Sequence, residues 1–207
     1  MKKLVTHPQY SSKNGARQRL RQGGFTLIEL FIVIAIIGVL VIISMPGVKG
    51  IFVQARVGPA AAELQRFMTA TRVLGEGDSV TPYAAISNVA NLAPALMESS
   101  VFKVNGATVA HRLGGSGVGS NGTITIGPVA LGGGAAGSGF GLTLTNVNHR
   151  ACPGLATTLN SVSETISVNG TAAKTLGTNN EPGSFNAVTA QELCVKGDNN
   201  TFVFATR

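Results

Sequence analysis

Four groups of residues in this chain have types or spacings that chemistry can use. Gly117 to Gly122 and Gly132 to Gly137 both fit G-x-G-x-x-G, a pattern that aims backbone amides at a pyrophosphate. That use requires a strand before the glycines and a helix after them. Here Gly122 runs into the strand-like Thr123-Ile-Thr-Ile126, and Gly137 leads to an alternating stretch that ends at Val147. Neither is followed by Gly-Lys-Ser/Thr, so both read as surface loops. Asp198-Asn199-Asn200 carries the oxygen ligands calcium favours, but not the spaced acids of an EF-hand loop. It reads as a hairpin turn before a strand at 201–205. Cys152 and Cys194 are the only two cysteines. An even count in an exported domain argues for one disulfide, worth about 4 kcal/mol for a loop of this size. The alternative, a metal site, is opposed by the scatter of His7, His111 and His149 and the absence of any zinc-like spacing. No G-x-S-x-G elbow, H-E-x-x-H or apolar carboxylate pair occurs, so the chain reads as neither an enzyme nor a cofactor or metal binder.

The fourth group centres on Glu29. Arg21 to Ile43 reads RQGGFTLIELFIVIAIIGVLVII, in which Glu29 is the only charge after Arg21. Leu30 to Val48 is uncharged and long enough to cross a bilayer as a helix rising about 1.5 Å per residue. An acid in such a segment costs about 2.5–3.5 kcal/mol on insertion scales, so Glu29 needs a partner in the membrane or in an assembly the helix later joins. A secretory signal peptide places its cleavage site after the apolar core, whereas Gly23-Gly24 lies before it.

The run GGFTLIELFIVIAIIGVLVIISMPG resembles the N-terminus of type IV prepilins. The resemblance implies removal of residues 1–24 after Gly24 by a membrane-embedded prepilin peptidase, and methylation by the same enzyme of the new N-terminus, Phe25. It further implies an assembly role for Glu29, whose carboxylate would neutralise the Phe25 amine of a neighbouring subunit. A 24-residue leader is similar to that of type IVb prepilins. Ala151-Cys152-Pro-Gly-Leu155 opening a helix, with Cys194 near the end, resembles the disulfide-bounded region of the same subclass. Phe25 departs from this, because type IVb chains often begin with another apolar residue.

The formal charge of +7 over 207 residues invites a nucleic-acid reading, but Lys2, Lys3, Lys13, Arg17, Arg19 and Arg21 all precede the cut. They leave 10 basic and 9 acidic residues afterwards, a net +1, with no basic-aromatic stripe for nucleic acid. The leader charge is topogenic: by the positive-inside rule it holds that end in the cytoplasm and sends the body across the inner membrane.

Positioning these residues requires four segments: the leader, 1–24; a membrane or filament-core helix, 25–48; an amphipathic continuation, 49–75; and an extracytoplasmic α+β domain, 76–207. In the continuation, Val57, Ala61, Leu64, Met68, Thr71 and Leu74 recur at steps of three and four, predicting one buried face. Pro46 and Gly58-Pro59 predict kinks or local unwinding, and Gly75 to Asp78 an end. One or two short helices are expected over 81–99 and another over 151–161, with Leu155 and Leu159 buried. Strands are expected at 123–126, 141–147, 165–168 and 201–205. The sequons at Asn121, Asn169 and Asn199 are assigned to turns. Together these predict a long helix packed against a C-terminal antiparallel sheet, the layout that the prepilin resemblance also implies.

The function expected is that of a structural subunit which polymerises with copies of itself into an extracellular filament for adhesion, aggregation or conjugative contact. Its implied partners are prepilin peptidase, the inner-membrane assembly machinery and the inner membrane, with no nucleic acid. The alternatives are a type II secretion pseudopilin and a minor or DNA-uptake pilin acting as a ligand-binding module.

Overall fold

The computed structural model describes residues 24–207, and the expectations for the leader fall outside them. Thr26 starts the first helix, α1 (Leu27–Leu74), because its hydroxyl accepts the Glu29 amide at 3.3 Å and so caps one of the unpaired donors of the first turn. Helical backbone continues through Pro46 and through Gly58-Pro59, so the unwinding expected there is absent. The chain divides into two compact units at Ile43 and Ser44. In the first, Leu27 to Ile43 is helical and exposed along its length, and the 18 residues Leu27–Ser44 are apolar enough to cross a membrane.

The second unit, the head, is built on one seven-stranded antiparallel sheet. Its strands are β1 (Lys103–Asn105), β2 (Thr108–Ala110), β3 (Thr123–Val129), β4 (Gly139–Val147), β5 (Thr165–Val168), β6 (Thr171–Lys174) and β7 (Asn200–Thr206), in the order β1-β2-β3-β4-β7-β5-β6. Alternation along the strands places one row of apolar side chains across Ile124, Leu144, Phe202 and Val168, and a second across Ile126, Leu142, Phe204 and Ile166. Both rows are buried in one core with Val57, Ala61, Leu64 and Met68 of α1, as the three-four spacing predicts. Leu74 is the exception, 75% exposed; Val53, Ala60 and Phe67 are buried instead. Helix α1 ends directly after Leu74, so no further turn covers it.

A five-residue π-helical turn, Asn88–Leu92, leads into α2 (Ala93–Leu96), with Pro94 in its first turn. Helix α3 (Cys152–Leu159) buries Leu155 and Leu159 as expected. Helix α4 (Ala187–Glu192), β1, β2 and β6 were not expected. The glycine-rich stretches form the β2–β3 and β3–β4 connections. The Asp198 loop joins α4 to β7, so it is a helix-to-strand connection rather than a hairpin turn.

Candidate functional site

The residues implied in processing and assembly lie together at the start of α1. Gly24 and Phe25 precede the helix, and Phe25 is 82% exposed. Glu29 stands in the first helical turn, exposed, next to the unpaired amides that favour a negative charge there. Beyond it, Leu30, Phe31, Ile32, Ile34, Ile36, Ile37 and Leu40 are all more than half exposed. Among the described residues, nothing apolar covers this stripe.

The disulfide lies at the opposite end of the sequence. Cys152 opens α3, fully buried, and is bonded to Cys194, with Cα atoms 6.2 Å apart and a separation of 42 positions in sequence. It joins α3 to the segment that follows α4, because α4 precedes Cys194. Two asparagines complete this junction. Buried Asn200 donates to the Val147 carbonyl (3.0 Å) and the Val195 carbonyl (2.9 Å), and its Oδ1 accepts from the Val195 amide (2.7 Å). Asn169 donates to the Leu193 carbonyl and accepts from the Thr201 amide, both at 2.9 Å. Asn169 also forms the two-residue β5–β6 turn with Gly170, both at positive φ, 53° and 80°, the geometry that suits Asn-Gly hairpins.

Asp198 gathers the base of the head. Its carboxylate accepts from Lys49 Nζ (2.8 Å), Asn148 Nδ2 and the Gly115 amide (3.2 Å), while Asn146 donates to its carbonyl. Partial burial alone would raise its pKa, but these three donors outweigh burial and hold it below the ordinary carboxylate value. The Asp198 oxygens are therefore committed to protein donors. No group of three or more His, Cys, Asp or Glu able to hold a metal occurs among the described residues.

His111 is fully buried behind this cluster. Its Nδ1 accepts from the Leu113 amide (3.0 Å), so Nε2 carries the proton and donates to the Thr145 carbonyl (2.8 Å). Burial lowers its pKa from 6.5, partly opposed by Thr145 and Asp198. The unfolded chain therefore takes up this proton at a higher pH than the head does. Stability is complete above about pH 6.5 and is lost as pH falls below it, by at most about 1.4 kcal/mol per pH unit. Urea midpoints should drop between about pH 7 and about pH 5, and His111→Gln should flatten that slope. An unchanged slope in the variant would reject the assignment.

The polarity of the head was not visible in the sequence. Lys49, Arg56, Lys103 and Arg112 are exposed and line one groove with the α1 residues Val48 and Phe52, Arg150 lies against Gly50, and Lys49 is paired with Asp198. A net charge near zero conceals this cluster, because the residues are far apart along the chain.

Comparison with known proteins gives two family matches. The family described as PilS N terminal matches residues 56–207, and the prokaryotic N-terminal methylation motif matches residues 19–45. Among solved structures, a type IVb pilin from Salmonella typhi is 20% identical, with 70% of this chain and 94% of that one covered and a TM-score of 0.46. TcpA, a type IV pilin from Vibrio cholerae El Tor biotype, is also 20% identical, with 75% and 99% covered and a TM-score of 0.43. No curated protein sequence matches the chain. One family match spans most of the head and well over half the chain, and the other spans the glycines, Phe25, Glu29 and the apolar span Leu27–Ser44; the chain belongs to the PilS N-terminal family and is a type IV prepilin.

Proposed function

We propose that this prepilin is cut after Gly24, methylated at Phe25 and polymerised into a type IVb pilus that serves adhesion, aggregation or conjugative contact. Before assembly the Leu27–Ser44 helix anchors it in the inner membrane, with the leader in the cytoplasm and the head on the far side. The observation that carries this reading is the contrast between the two units. The head has a complete core, whereas the apolar helix has none of its own and carries one acid in its first turn. Such a surface is stable only in lipid or against copies of itself. The region bounded by Cys152 and Cys194 supports the IVb subclass.

Cleavage is the test. Glycine before the cut lets an extended backbone lie close to a protease, and among the described residues nothing lies within 4 Å of where a Gly24 side chain would begin. A Gly24→Phe variant should therefore fold and insert normally yet stay uncut in the inner membrane. Mass spectrometry should find Phe25, one methyl group heavier, at the N-terminus of the wild-type filament protein. An intact N-terminal leader in filaments would overturn the reading.

A further inference from the structure

The base of the head holds an open groove of about 680 Å³ between α1 and the glycine-rich connection. Its walls combine cations, Arg56, Lys103 and Arg112, with the exposed apolar side chains Val48 and Phe52. Among the described residues, no ion pair engages these three cations, nor Arg150 against Gly50 nearby; of the cluster Lys49 alone is paired, with Asp198. Arg112 is also held at φ +55°, a conformation unusual for a side chain of this size and one that clusters at ligand-binding places.

The chain itself says where this groove is before assembly. Four residues separate Lys49 from Ser44, the end of the apolar span. Even fully extended, that connection keeps Lys49 within about 18 Å of the span's end. Clustered unpaired cations beside exposed apolar side chains, tethered at that distance, match the surface of a bilayer, with phosphates outside and acyl chains beneath.

We propose that the groove holds the headgroup of an anionic phospholipid, with Arg56, Lys103 and Arg112 on the phosphate and Val48 and Phe52 against its glycerol and upper acyl chain. The inference rests on the reading that Leu27–Ser44 spans the membrane. The bound lipid would seat the head on the bilayer until the subunit is withdrawn into a filament. Duplex DNA and an acidic face of a second copy fit the charge alone. They do not account for the adjoining apolar wall or the tether.

The test uses the full chain, reconstituted in nanodiscs of equimolar phosphatidylcholine and phosphatidylglycerol and then extracted mildly for native mass spectrometry. Entry into the nanodisc tests the membrane reading by itself. Retention of phosphatidylglycerol over phosphatidylcholine by about tenfold tests the groove. The triple variant R56Q/K103Q/R112Q, which spares the Lys49–Asp198 pair, should insert equally and lose that preference. Should the variant fold poorly, added salt should erase the preference in the wild type. The inference is overturned by retained lipid that mirrors the bulk ratio, by a preference that survives both the substitutions and salt, or by a short DNA duplex displacing the lipid.

Discussion

A chain with Glu29→Val should be inserted and cut after Gly24 as efficiently as the wild type, yet produce no filaments when it is the only subunit present. Valine makes the helix more apolar, so entry into the membrane becomes easier, and the residues around the cut are unchanged. The Thr26 cap also survives, since it uses the backbone amide of residue 29 rather than its side chain.

Assembly is different, because the freed Phe25 amine, with a reference pKa near 8, remains largely protonated at neutral pH, methylated or not. Placed among the exposed Leu30, Phe31, Ile34 and Ile37 side chains of neighbouring copies, that charge needs a counterion, and Glu29 is the only acid in the apolar helix. Removing one partner of a buried pair costs about 3–5 kcal/mol, a loss of about a hundredfold to several thousandfold in acceptance at the growing end. Glu29→Asp should restore part of the piliation, which a steric account of the valine defect would not explain. Processing on gels and filaments by microscopy in the same strain decide it. Normal piliation with valine alone at position 29 would sink the pairing model.

How far this reading could be taken from sequence depended on the range of the interactions. The start of α1 is written locally: Gly24, Phe25 and Glu29 beside an uninterrupted apolar run admit few meanings, and the three-four spacing gave five of six buried positions. Leu74 failed because periodicity does not register where a helix stops. The Asn169-Gly170 turn between β5 and β6 was legible locally, but β6 itself, Thr171-Ala-Ala-Lys174, holds one β-branched residue and no aromatic one, too little to declare a strand. Helix α4 also had one: the Asn186 side chain accepts from the Val188 and Thr189 amides, the behaviour expected of an asparagine before a helix. At six residues it is too short for periodicity to declare. The basic base and the Asp198 cluster had no local signal at all, since Lys49, Gly115, Asn148 and Asp198 meet only through the β4–β7 pairing and the loops beside it.

Cys194→Ser should lower the amount of subunit in the cell and abolish piliation, through a loss of stability that is confined at first to one part of the head. A bridge across 42 residues removes about 4 kcal/mol of chain entropy from the unfolded state, a large share of the roughly 5–15 kcal/mol that holds a typical domain. Not all of the enclosed chain depends on it equally. Strand β5 pairs with β7 over four residues and buries Ile166 and Val168 in the core, so it has support of its own. Helix α4 has little: six residues are too few to be stable alone, Ala190 is its one buried side chain, and Val188 is 65% exposed. Without the bond, the region from the end of β6 to Cys194 should open first, while the two apolar rows of the sheet persist. Glu181 and Glu192 lie within it and report on that opening, because a glutamate-specific protease should cut there in the variant far faster than in the wild type. Cleavage spread evenly over Glu63, Glu76, Glu98 and these two sites would show instead that the bond supports the head as a whole, and wild-type resistance in the variant would show that α4 holds without it.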